Sequence, residues 1–537
     1  MFNRKKKILS KLQEAFGKVK EDTFDFDSIE KYFRKKDKSD SFQTISDKTI
    51  NDLDFNEFFM FVDRTTSKVG QQYFYDSLRN IPKDSKKFVQ QEKLIKELKE
   101  KPNLRLEFQY LLNKVSNYEA YFISSLFQDE HIKPPKWFFV IRLLSLTSLL
   151  SLLTLPFIPQ SLFILLVVFI LNMGFHYWNK KNIYEYVGSI PQLLKLNTVA
   201  KEFLTYDLFD EMSKGLKTSI KTIDEVRNRM SFFKLEAKIE TDTEIAFWFM
   251  LEILKTMFLL EPLFLFGVLK RLDTKRAEIQ NVFSFVGYVD SIISITSLRQ
   301  NTNSYCLPEI NTINKSISAQ NIYHPLIPDC VPNSISTNNK SILLTGSNMS
   351  GKTTFIRTIG LNAISALTIN TCFADHFKLP KTRIYSAIRI SDDLMNDKSY
   401  YFEEVITIKN MLENSQNDEF NLFLLDEIFK GTNTTERISA GKALLSNLNK
   451  GNNKVFVSTH DIELADLLSN EYELYHFSEQ VDSKTVDFDY KLKVGKLKSK
   501  NAIRILEAND YPDSIISEAL EIANKLDNNY LVNKAIK

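Results

Sequence analysis

A glycine-rich loop near the middle of the chain has the composition and spacing that phosphate binding requires. Its residues are Gly346-Ser347-Asn348-Met349-Ser350-Gly351-Lys352-Thr353, followed by Thr354, and they satisfy the pattern G-x-x-x-x-G-K-[ST]. Glycines let backbone N–H groups approach phosphate oxygens, and a helix that begins at the loop adds positive potential. The pattern predicts that Lys352 reaches the β and γ phosphates of ATP and that the Thr353 hydroxyl binds Mg²⁺.

Two further segments carry side chains suited to act on a bound triphosphate. The apolar run FNLFLLDE ends in the adjacent carboxylates Asp426 and Glu427. We expect Asp426 to hold Mg²⁺ through water and Glu427 to polarise the attacking water. A second apolar run ends at Thr459-His460-Asp461, where His460 can sense the γ-phosphate. A histidine alone is more often an ordinary core or surface residue, but its place after this strand favours a catalytic role.

A parallel sheet is the element that brings such residues together. Beyond residue 300, β-branched runs separated by Asn, Ser and Pro alternate with helical patterns. Strands are predicted at 341–345, 420–425 and 454–458, with a strand-like piece at 485–494 and a closing helix from 512 to about 526. This alternation predicts an α/β domain.

Composition limits the classes of protein to which the chain can belong. The 537 residues correspond to about three or four domains, and 43% hydrophobic with 26% charged residues is typical of a globular protein. The net charge of +3 is too small for wholesale neutralisation of nucleic acid, so any DNA contact must be local. Three cysteines without CxxC spacing predict reduced thiols in a cytoplasmic compartment and argue against a disulfide framework or a zinc site.

Two apolar stretches predict a helical hairpin that crosses a membrane. Residues 137–155 and 161–178 each approach the roughly 20 residues that span a bilayer, and Arg142 can reach the headgroups. Lysines flank the outer ends, whereas the loop between the stretches has no charge. The positive-inside rule then predicts a multi-pass inner-membrane protein that contacts lipid through residues 137–178, with both termini and the α/β domain in the cytoplasm. A buried hairpin in a soluble core is the alternative.

Two other segments have apolar surfaces whose partner the pattern leaves open. The N-terminus lacks the apolar core of a secretory signal and reads as a basic amphipathic helix. That helix suits either an anionic lipid surface or its own domain. The stretch 245–269 contains Glu252, Lys255 and Glu261, so we expect a packed or interfacial helix rather than a third span.

Together, these motifs resemble the ATPase domain of the MutS family of ABC-type ATPases. The resemblance rests on GSNMSGKTT, LLDEIFKGTNTTER and STHD, and Ser399-Tyr400-Tyr401-Phe402-Glu403-Glu404 is similar to the family's signature segment. Residues 322–326, before these motifs, and residues 488–492, after them, extend the resemblance. Near the start, Asp63–Gly70 resembles the opening of the family's helical core and lever domain.

The resemblance implies how ATP and Mg²⁺ are held. Asn348 would help to order the attacking water and the γ-phosphate. Ser399 would reach the γ-phosphate bound by the opposite subunit of a homodimer. The turn that would line the dimer interface is Gly431-Thr432-Asn433-Thr434. ATP would therefore lie between two chains.

The sequence also departs from the mismatch-recognising members of that family. Those members carry an N-terminal domain with a Phe-x-Glu wedge, whereas fewer than fifty residues precede the lever-like segment here. Phe55-Asn56-Glu57 matches the three-letter pattern but lies inside the lever opening. We therefore expect a protein without mismatch recognition, connector or nuclease domain, in which the apolar hairpin lies about where a DNA-gripping clamp would be inserted.

The expected fold is multidomain: an α-helical core and lever region with a two-helix transmembrane hairpin, followed by an α/β P-loop ATPase domain. The expected segments are a basic N-terminal segment at 1–45, a core and lever region at 46–132, the hairpin at 133–181, a second lever region at 182–300 and the ATPase domain at 301–537. The expected function is that of a membrane-tethered ATPase that drives lever motion, with a DNA-binding or DNA-transaction role through the lysine-rich levers. An ABC-type transport or remodelling ATPase without a DNA role is the alternative.

Overall fold

The computed structural model divides the chain into two compact units. The helical unit comprises Met1–Lys38, Val62–Ser77 and Ser85–Asn301, and the sheet unit comprises Ser39–Phe61, Leu78–Asp84 and Thr302–Lys537. The structure describes residues 2–230, 242–302, 304–311, 313–347, 349–389, 400–481, 486–497, 502–509 and 511–535.

Helices dominate the chain up to residue 300, as predicted. The elements up to residue 130 are α1 Phe2–Ala15, α2 Phe26–Lys35, β1 Ser41–Thr44, α3 Asp47–Asp52, α4 Phe55–Val62, α5 Lys68–Arg79, β2 Asn80–Pro82, α6 Lys86–Glu100, α7 Pro102–Leu112 and α8 Ser125–Gln128. They are followed by α9 Phe138–Thr154, α10 Ser161–Phe203, α11 Ser213–Met230, α12 Asp242–Phe258, α13 Leu260–Leu272 and α14 Arg276–Gln300.

Strands and helices alternate beyond that point, which confirms the predicted α/β texture. The elements are β3 Glu309–Asn311, β4 Ile317–Ile322, β5 Asn333–Thr337, β6 Ser341–Thr345, α15 Lys352–Ile369, β7 His376–Pro380, β8 Thr382–Ala387, α16 Tyr400–Asn414, β9 Phe420–Asp426, α17 Thr434–Leu448, β10 Asn453–Thr459, α18 Ile462–Leu468, β11 Tyr472–His476, β12 Glu479–Val481, β13 Val486–Phe488, β14 Lys493–Val494, α19 Ala502–Ala508 and α20 Asp513–Ala535.

The main sheet of the sheet unit has the strand order β14-β11-β6-β10-β9-β8. Strands β11, β6, β10, β9 and β8 run parallel, and the edge strand β14 is antiparallel to β11. Strand β6 is buried along its whole length, as predicted for a central strand. Thr345 pairs with Thr459 and Asp426 pairs with Ser458, so three strands end side by side. A second sheet has the order β3-β7-β4-β5.

The sheet unit also contains the N-terminal segment Ser39–Phe61, most of which the sequence pattern places in the helical core. The side-chain amide of Gln43 donates to Ile384 O at 2.8 Å and accepts from Ile384 N at 2.7 Å, which extends the ladder at edge strand β8. The carboxylate of Asp52 accepts from Ser386 Oγ at 2.7 Å and from Ile388 N at 3.0 Å. Residues 39–61 thus pack within the sheet unit, and the predicted domain boundaries, among them 46–132, stay a prediction. Phe55 is fully buried, so it has no exposed ring to act as a wedge.

In the helical unit, the segment Asp63–Gly70 ties helix α5 to α14. Asp290 on α14 accepts hydrogen bonds from Thr66 N at 2.9 Å and from Ser67 N at 2.7 Å, beside the first turn of α5. Burial raises the pKa of Asp290 to about 6. A Cβ at Gly70 would lie 2.1 Å from Asp290 Oδ2, so only glycine allows this approach.

Four apolar helices form a second part of the helical unit. Helices α9 and α10 pack against each other, α12 packs against both, and α12 and α13 are separated by Leu259 at φ 48°. Among the described residues, the segment long and apolar enough to cross a membrane is Leu260–Gln300, and 83% of its apolar window is buried, as in a core helix. Phe138–Thr154 and Ser161–Tyr177 are apolar but shorter. The stretch 245–269 forms parts of two helices, α12 and α13, and its position as a packed or interfacial segment stays a prediction.

The basic helix α1 packs against α7 in the same unit. The Arg105 guanidinium lies 3.4 Å from the centroid of the Phe16 ring, and the Lys5 ammonium lies 5.1 Å from that of Tyr110. The first basic residues, Arg4 to Lys7, remain exposed. The apolar stripe of α1 is thus half-buried against protein, while its basic face points to solvent.

Candidate active site

The glycine-rich loop joins the buried strand β6 to helix α15 and has a backbone that requires glycine at two positions. Gly346 has φ +151°, and a Cβ there would lie 2.8 Å from both Phe477 O and Ser350 Oγ. Gly351, the residue before α15, has φ +104°. Ser350 Oγ donates to Ser347 O at 2.9 Å, which closes the loop. The free N–H groups at the start of α15 therefore face the loop, as phosphate binding requires.

Lys352 lies over this loop rather than in solvent. Its ammonium donates to Gly346 O at 2.8 Å and to Ser347 O at 2.7 Å, and the side chain is buried. Burial lowers the pKa of Lys352, and the carboxylates of Glu427 and Asp426 oppose that shift. The ammonium is thus held at the loop in a position from which it can reach phosphate oxygens.

Thr353, in the first turn of α15, and Asp426, at the carboxyl end of β9, form a pair of oxygen ligands. The Thr353 hydroxyl donates to Asp426 Oδ2 at 2.7 Å, and Ser458 Oγ donates to the other carboxylate oxygen. Mg²⁺ prefers hydroxyl and carboxylate oxygens together with waters and substrate phosphates. The donor set fits the predicted Mg²⁺ site.

Glu427 and His460 are in direct contact. His460 Nε2 binds Glu427 Oε1, and Lys430 Nζ lies 2.6 Å from Glu427 Oε2. Burial on its own raises the pKa of Glu427, but the hydrogen bonds from His460 and Lys430 outweigh it and lower the pKa to about 2. Glu427 is therefore ionised near neutral pH and suited to orient water. His460 acts through Glu427 here, so its predicted γ-phosphate sensing stays a prediction.

A cavity of about 590 Å³ opens beside the loop. Its lining includes the polar residues Ser347, Lys352, Thr353 and Glu427 of the site. Apolar and aromatic residues line it as well, among them Tyr323, Ile327, Pro328, Val331, Phe477 and Tyr490. Such a volume, with a mixture of polar and apolar groups, is typical of a small-molecule site and can accept a nucleoside triphosphate.

The other predicted site residues fall into two groups. Met349, with φ 69°, and Thr354 line the cavity, and their binding of nucleotide stays a prediction. Asn348 and Ser399 lie outside the described residues. The turn Gly431-Thr432-Asn433-Thr434 precedes α17, where Asn433 caps the helix by accepting from Glu436 N at 3.0 Å. Its residues are largely exposed, and its role in a dimer stays a prediction.

Sequence reasoning gave no role to several side chains that hold the site together. Buried Glu404 on α16 accepts from Phe429 N and so fixes the turn after Glu427. Glu479 accepts from Ser347 Oγ at 2.7 Å and braces the phosphate loop. Glu404 is the last residue of the signature-like segment at 399–404, whereas Glu479 lies in a short strand that carries no local motif.

Comparison with known proteins agrees with the geometry of this unit. The family model described as MutS domain V matches residues 342–527, which include the loop, Asp426, Glu427 and His460. The chain is 29% identical over 237 residues to the DNA mismatch repair protein MutS of Fusobacterium nucleatum, covering 42% of this chain and 26% of the relative.

Two other relatives have similar identities over similar lengths of the chain. The DNA mismatch repair protein MutS of Lactobacillus acidophilus is 28% identical over 261 residues, covering 46% of this chain and 30% of the relative. The DNA mismatch repair protein MSH3 of Kluyveromyces lactis is 29% identical over 276 residues, covering 48% of this chain and 26% of the relative. The chain thus spans between 26% and 30% of the length of these relatives, and the similarity to the MutS family rests on its domain V.

Proposed function

We propose that this chain is a membrane-tethered, MutS-like ATPase that binds and hydrolyses ATP at a homodimer interface and uses the cycle to move its helical levers. The proposal includes a DNA-binding or DNA-transaction role that does not depend on mismatch recognition. One observation carries it. The carboxyl ends of three parallel strands bring Lys352, the Thr353–Asp426 pair and the Glu427–His460 pair together beside one cavity.

Each of these groups has a defined task in phosphoryl transfer. The backbone at the start of α15 and the Lys352 ammonium bind the triphosphate and stabilise charge that develops on it. When bound, Mg²⁺ neutralises phosphate oxygens, and Thr353 and Asp426 are the residues that would hold it. Glu427, kept ionised by His460 and Lys430, orients the attacking water.

The DNA role is supported by the kind of relatives found and by local charge. Those relatives are named as DNA mismatch repair proteins. The helical unit presents exposed lysines on α6 and α11, which are Lys86, Lys93, Lys96, Lys99, Lys214, Lys217 and Lys221. Lysines arranged along helices neutralise backbone phosphates, and such binding weakens steeply with salt.

Membrane tethering is supported by the surface of α9 and α10. Large apolar side chains are exposed on both helices, among them Phe139, Leu143, Leu150, Leu153, Phe163, Leu166 and Ile170. The connecting loop exposes Phe157 and Ile158 as well. Exposed large apolar side chains in such number mark a lipid or protein contact. With the charge distribution of the flanking sequence, they support an inner-membrane hairpin with the ATPase domain in the cytoplasm.

The deciding experiment is ATP turnover by the full chain held in nanodiscs, measured with no DNA and with linear, mismatched or branched DNA across a salt series. We expect turnover that DNA stimulates, with no preference for mismatched over matched duplex, and a stimulation that fades as salt rises. Turnover that ignores all DNA but responds to lipid composition would instead favour an ABC-type transport or remodelling ATPase. A chain without turnover under every condition would overturn both.

A further inference from the structure

A cluster of ionisable side chains lies buried among the apolar helices of the helical unit. His176 extends from α10, Glu252 and Lys255 from α12, and Glu261 from α13. The His176 and Glu261 side chains are 1% and 2% exposed, and Lys255 is 4% exposed. Charged groups are expensive to bury unless other charges or a metal ion compensate them. The mechanism proposed above uses none of these residues.

The imidazole and the two carboxylates converge closely enough to share one ion. Their ligand atoms all lie within 4.8 Å of one another. His176 Nε2 lies 3.2 Å from Glu252 Oε1, and His176 Nδ1 lies 3.7 Å from Glu261 Oε2. Three helices each supply one ligand, so the residues form a compact site from separate parts of the chain.

Two polar atoms at this place have no hydrogen-bond partner among the residues that the structure describes. One is His176 Nδ1, on a ring that is almost fully buried. The other is Oδ1 of Asn172, which is fully buried one helical turn before His176. The Asn172 amide nitrogen donates to Met257 O at 2.7 Å and to Ser148 Oγ at 3.1 Å, which fixes the amide. An unsatisfied ring nitrogen within the cluster indicates a missing ligand.

Lys255 lies beside both carboxylates. Its ammonium is 3.6 Å from Glu252 Oε2 and 3.6 Å from Glu261 Oε1, longer than the roughly 2.7–2.9 Å of a charge-assisted hydrogen bond. Imidazole and carboxylate groups that converge in this way are the ligands that divalent transition-metal ions use.

We propose that His176, Glu252 and Glu261 form a binding site for a divalent transition-metal ion that links α10, α12 and α13. The ion takes one imidazole nitrogen and one oxygen from each carboxylate, a ligand set that suits Zn²⁺ and related ions. Lys255 is then a competitor of the metal rather than a ligand. This site is separate from the Mg²⁺ site of the sheet unit and does not depend on nucleotide.

The role of Lys255 distinguishes a metal site from a plain ion-pair network. In a metal site, Lys255→Met removes a competing positive charge, so Zn²⁺ binds more tightly and stabilises the variant more than the parent chain. In an ion-pair network, the same change removes a cation beside both carboxylates and destabilises the chain equally with and without Zn²⁺. Added Zn²⁺ therefore stabilises Lys255→Met if the cluster is a metal site and has no effect on it if the cluster is an ion-pair network.

The test uses the full chain without a purification tag, held in nanodiscs, with Zn²⁺ as the probe. We expect one Zn²⁺ per chain by elemental analysis after dialysis, and a higher unfolding temperature with Zn²⁺ than with EDTA. His176→Ala and Glu261→Gln should each weaken Zn²⁺ binding at least about tenfold, whereas Lys255→Met strengthens it. A double change at an exposed pair, His376→Ala with Glu309→Gln, serves as the matched control and leaves binding unchanged.

X-ray absorption of the Zn²⁺-loaded parent chain keeps the test valid even if a variant fails to fold. We expect one nitrogen ligand and oxygen ligands at about 2.0–2.2 Å. Two results would overturn the proposal: no stoichiometric Zn²⁺ in either the parent or Lys255→Met, or bound Zn²⁺ that disappears in the exposed-pair control but persists in His176→Ala. Failure of ATP turnover would leave this result unaffected, because the readout is metal binding.

Discussion

Arg437 on α17 donates two hydrogen bonds to the carboxylate of Asp461, from Nε at 2.8 Å and from Nη2 at 2.7 Å. Asp461 directly follows His460, and His460 binds Glu427. The planar guanidinium thus fixes the backbone next to His460 from a helix that begins at the predicted dimer-interface turn. Arg437 is a positioning residue for the Glu427–His460 pair, and it connects that pair to the turn.

Arg437→Lys should lower kcat about tenfold with little change in KM for ATP, because an ammonium cannot make the two-pronged contact that holds Asp461. Steady-state ATP turnover measures the effect. Lys442 lies on α17 as well and forms a part-exposed ion pair with Glu471, which is outside that helix. Lys442→Met removes this pair, is the matched control and should retain normal turnover. An equal loss in both variants would contradict the positioning role.

Glu427→Gln should reduce ATP turnover by about 100-fold or more while ATP still binds, because the neutral amide cannot polarise water as the carboxylate does. Lys352→Ala should instead weaken ATP binding itself. Equilibrium binding of a fluorescent ATP analogue, measured beside turnover, separates the two effects. Glu471→Gln is the same chemical change at a surface ion pair and should leave both readouts unchanged. Normal turnover in Glu427→Gln would contradict the catalytic role of Glu427.

Gly360→Ala should destabilise the sheet unit by about 1–3 kcal/mol. A Cβ at Gly360 would lie 2.7 Å from Leu424 Cδ1 and 2.9 Å from Leu53 Cδ2, and both leucines are fully buried. Gly441→Ala on α17 is the control, because its Cβ would meet neighbours only at 3.6 Å, so better helix propensity should make it neutral or stabilising. Denaturant unfolding measures the free energy of unfolding of both variants. If Leu53 does not pack on α15, the two variants should unfold with similar free energies.

His324 should make the sheet unit less stable in mild acid. Burial, and then the charge of Arg357, lowers the pKa of His324 to about 4, while Asp54 opposes the shift; Leu326 N donates to its neutral Nδ1 at 3.3 Å. The unfolded chain takes up the proton near pH 6.5, so stability falls as the pH drops from 6.5 to 4, by up to about 1.4 kcal/mol per pH unit.

Thermal unfolding of the parent chain and His324→Gln between pH 4.5 and 7.5 isolates that contribution. The glutamine variant should lose part of the pH dependence and approach the parent most closely in acid. Unfolding temperatures that change with pH in the same way in both chains would contradict the lowered pKa of His324.

Leu150→Asp combined with Leu166→Asp should release the chain from membranes, because each carboxylate would face hydrocarbon on an exposed apolar helix. Fractionation of cells, followed by alkaline carbonate washing of the membrane pellet, measures the change. Ile313→Asp alters a still more exposed apolar residue of the sheet unit and should leave the distribution of the chain as it was. A parent chain found only in the soluble fraction would contradict the tether itself.

Local patterns predicted much of the sheet unit. The strands at 341–345, 420–425 and 454–458 are confirmed within one residue at each end, and a helix, α15, follows the phosphate loop as expected. These elements are short, apolar and bounded by strong turn signals, and the loop motif fixes its own backbone through Gly346 and Gly351. The predicted strand piece at 485–494 is instead two short strands, β13 and β14, in different sheets.

The sequence by itself determined that a phosphate loop, a carboxylate pair and a histidine follow buried strands, because each of these signals lies within a few neighbouring residues. Only the tertiary structure decided that His460 binds Glu427, that Arg437 holds Asp461, and that residues 39–61 belong to the sheet unit. It also brought His176 beside Glu252 and Glu261 from separate helices. Such contacts join residues far apart in the chain, and their free energy comes from burial and charge pairing that no local pattern encodes.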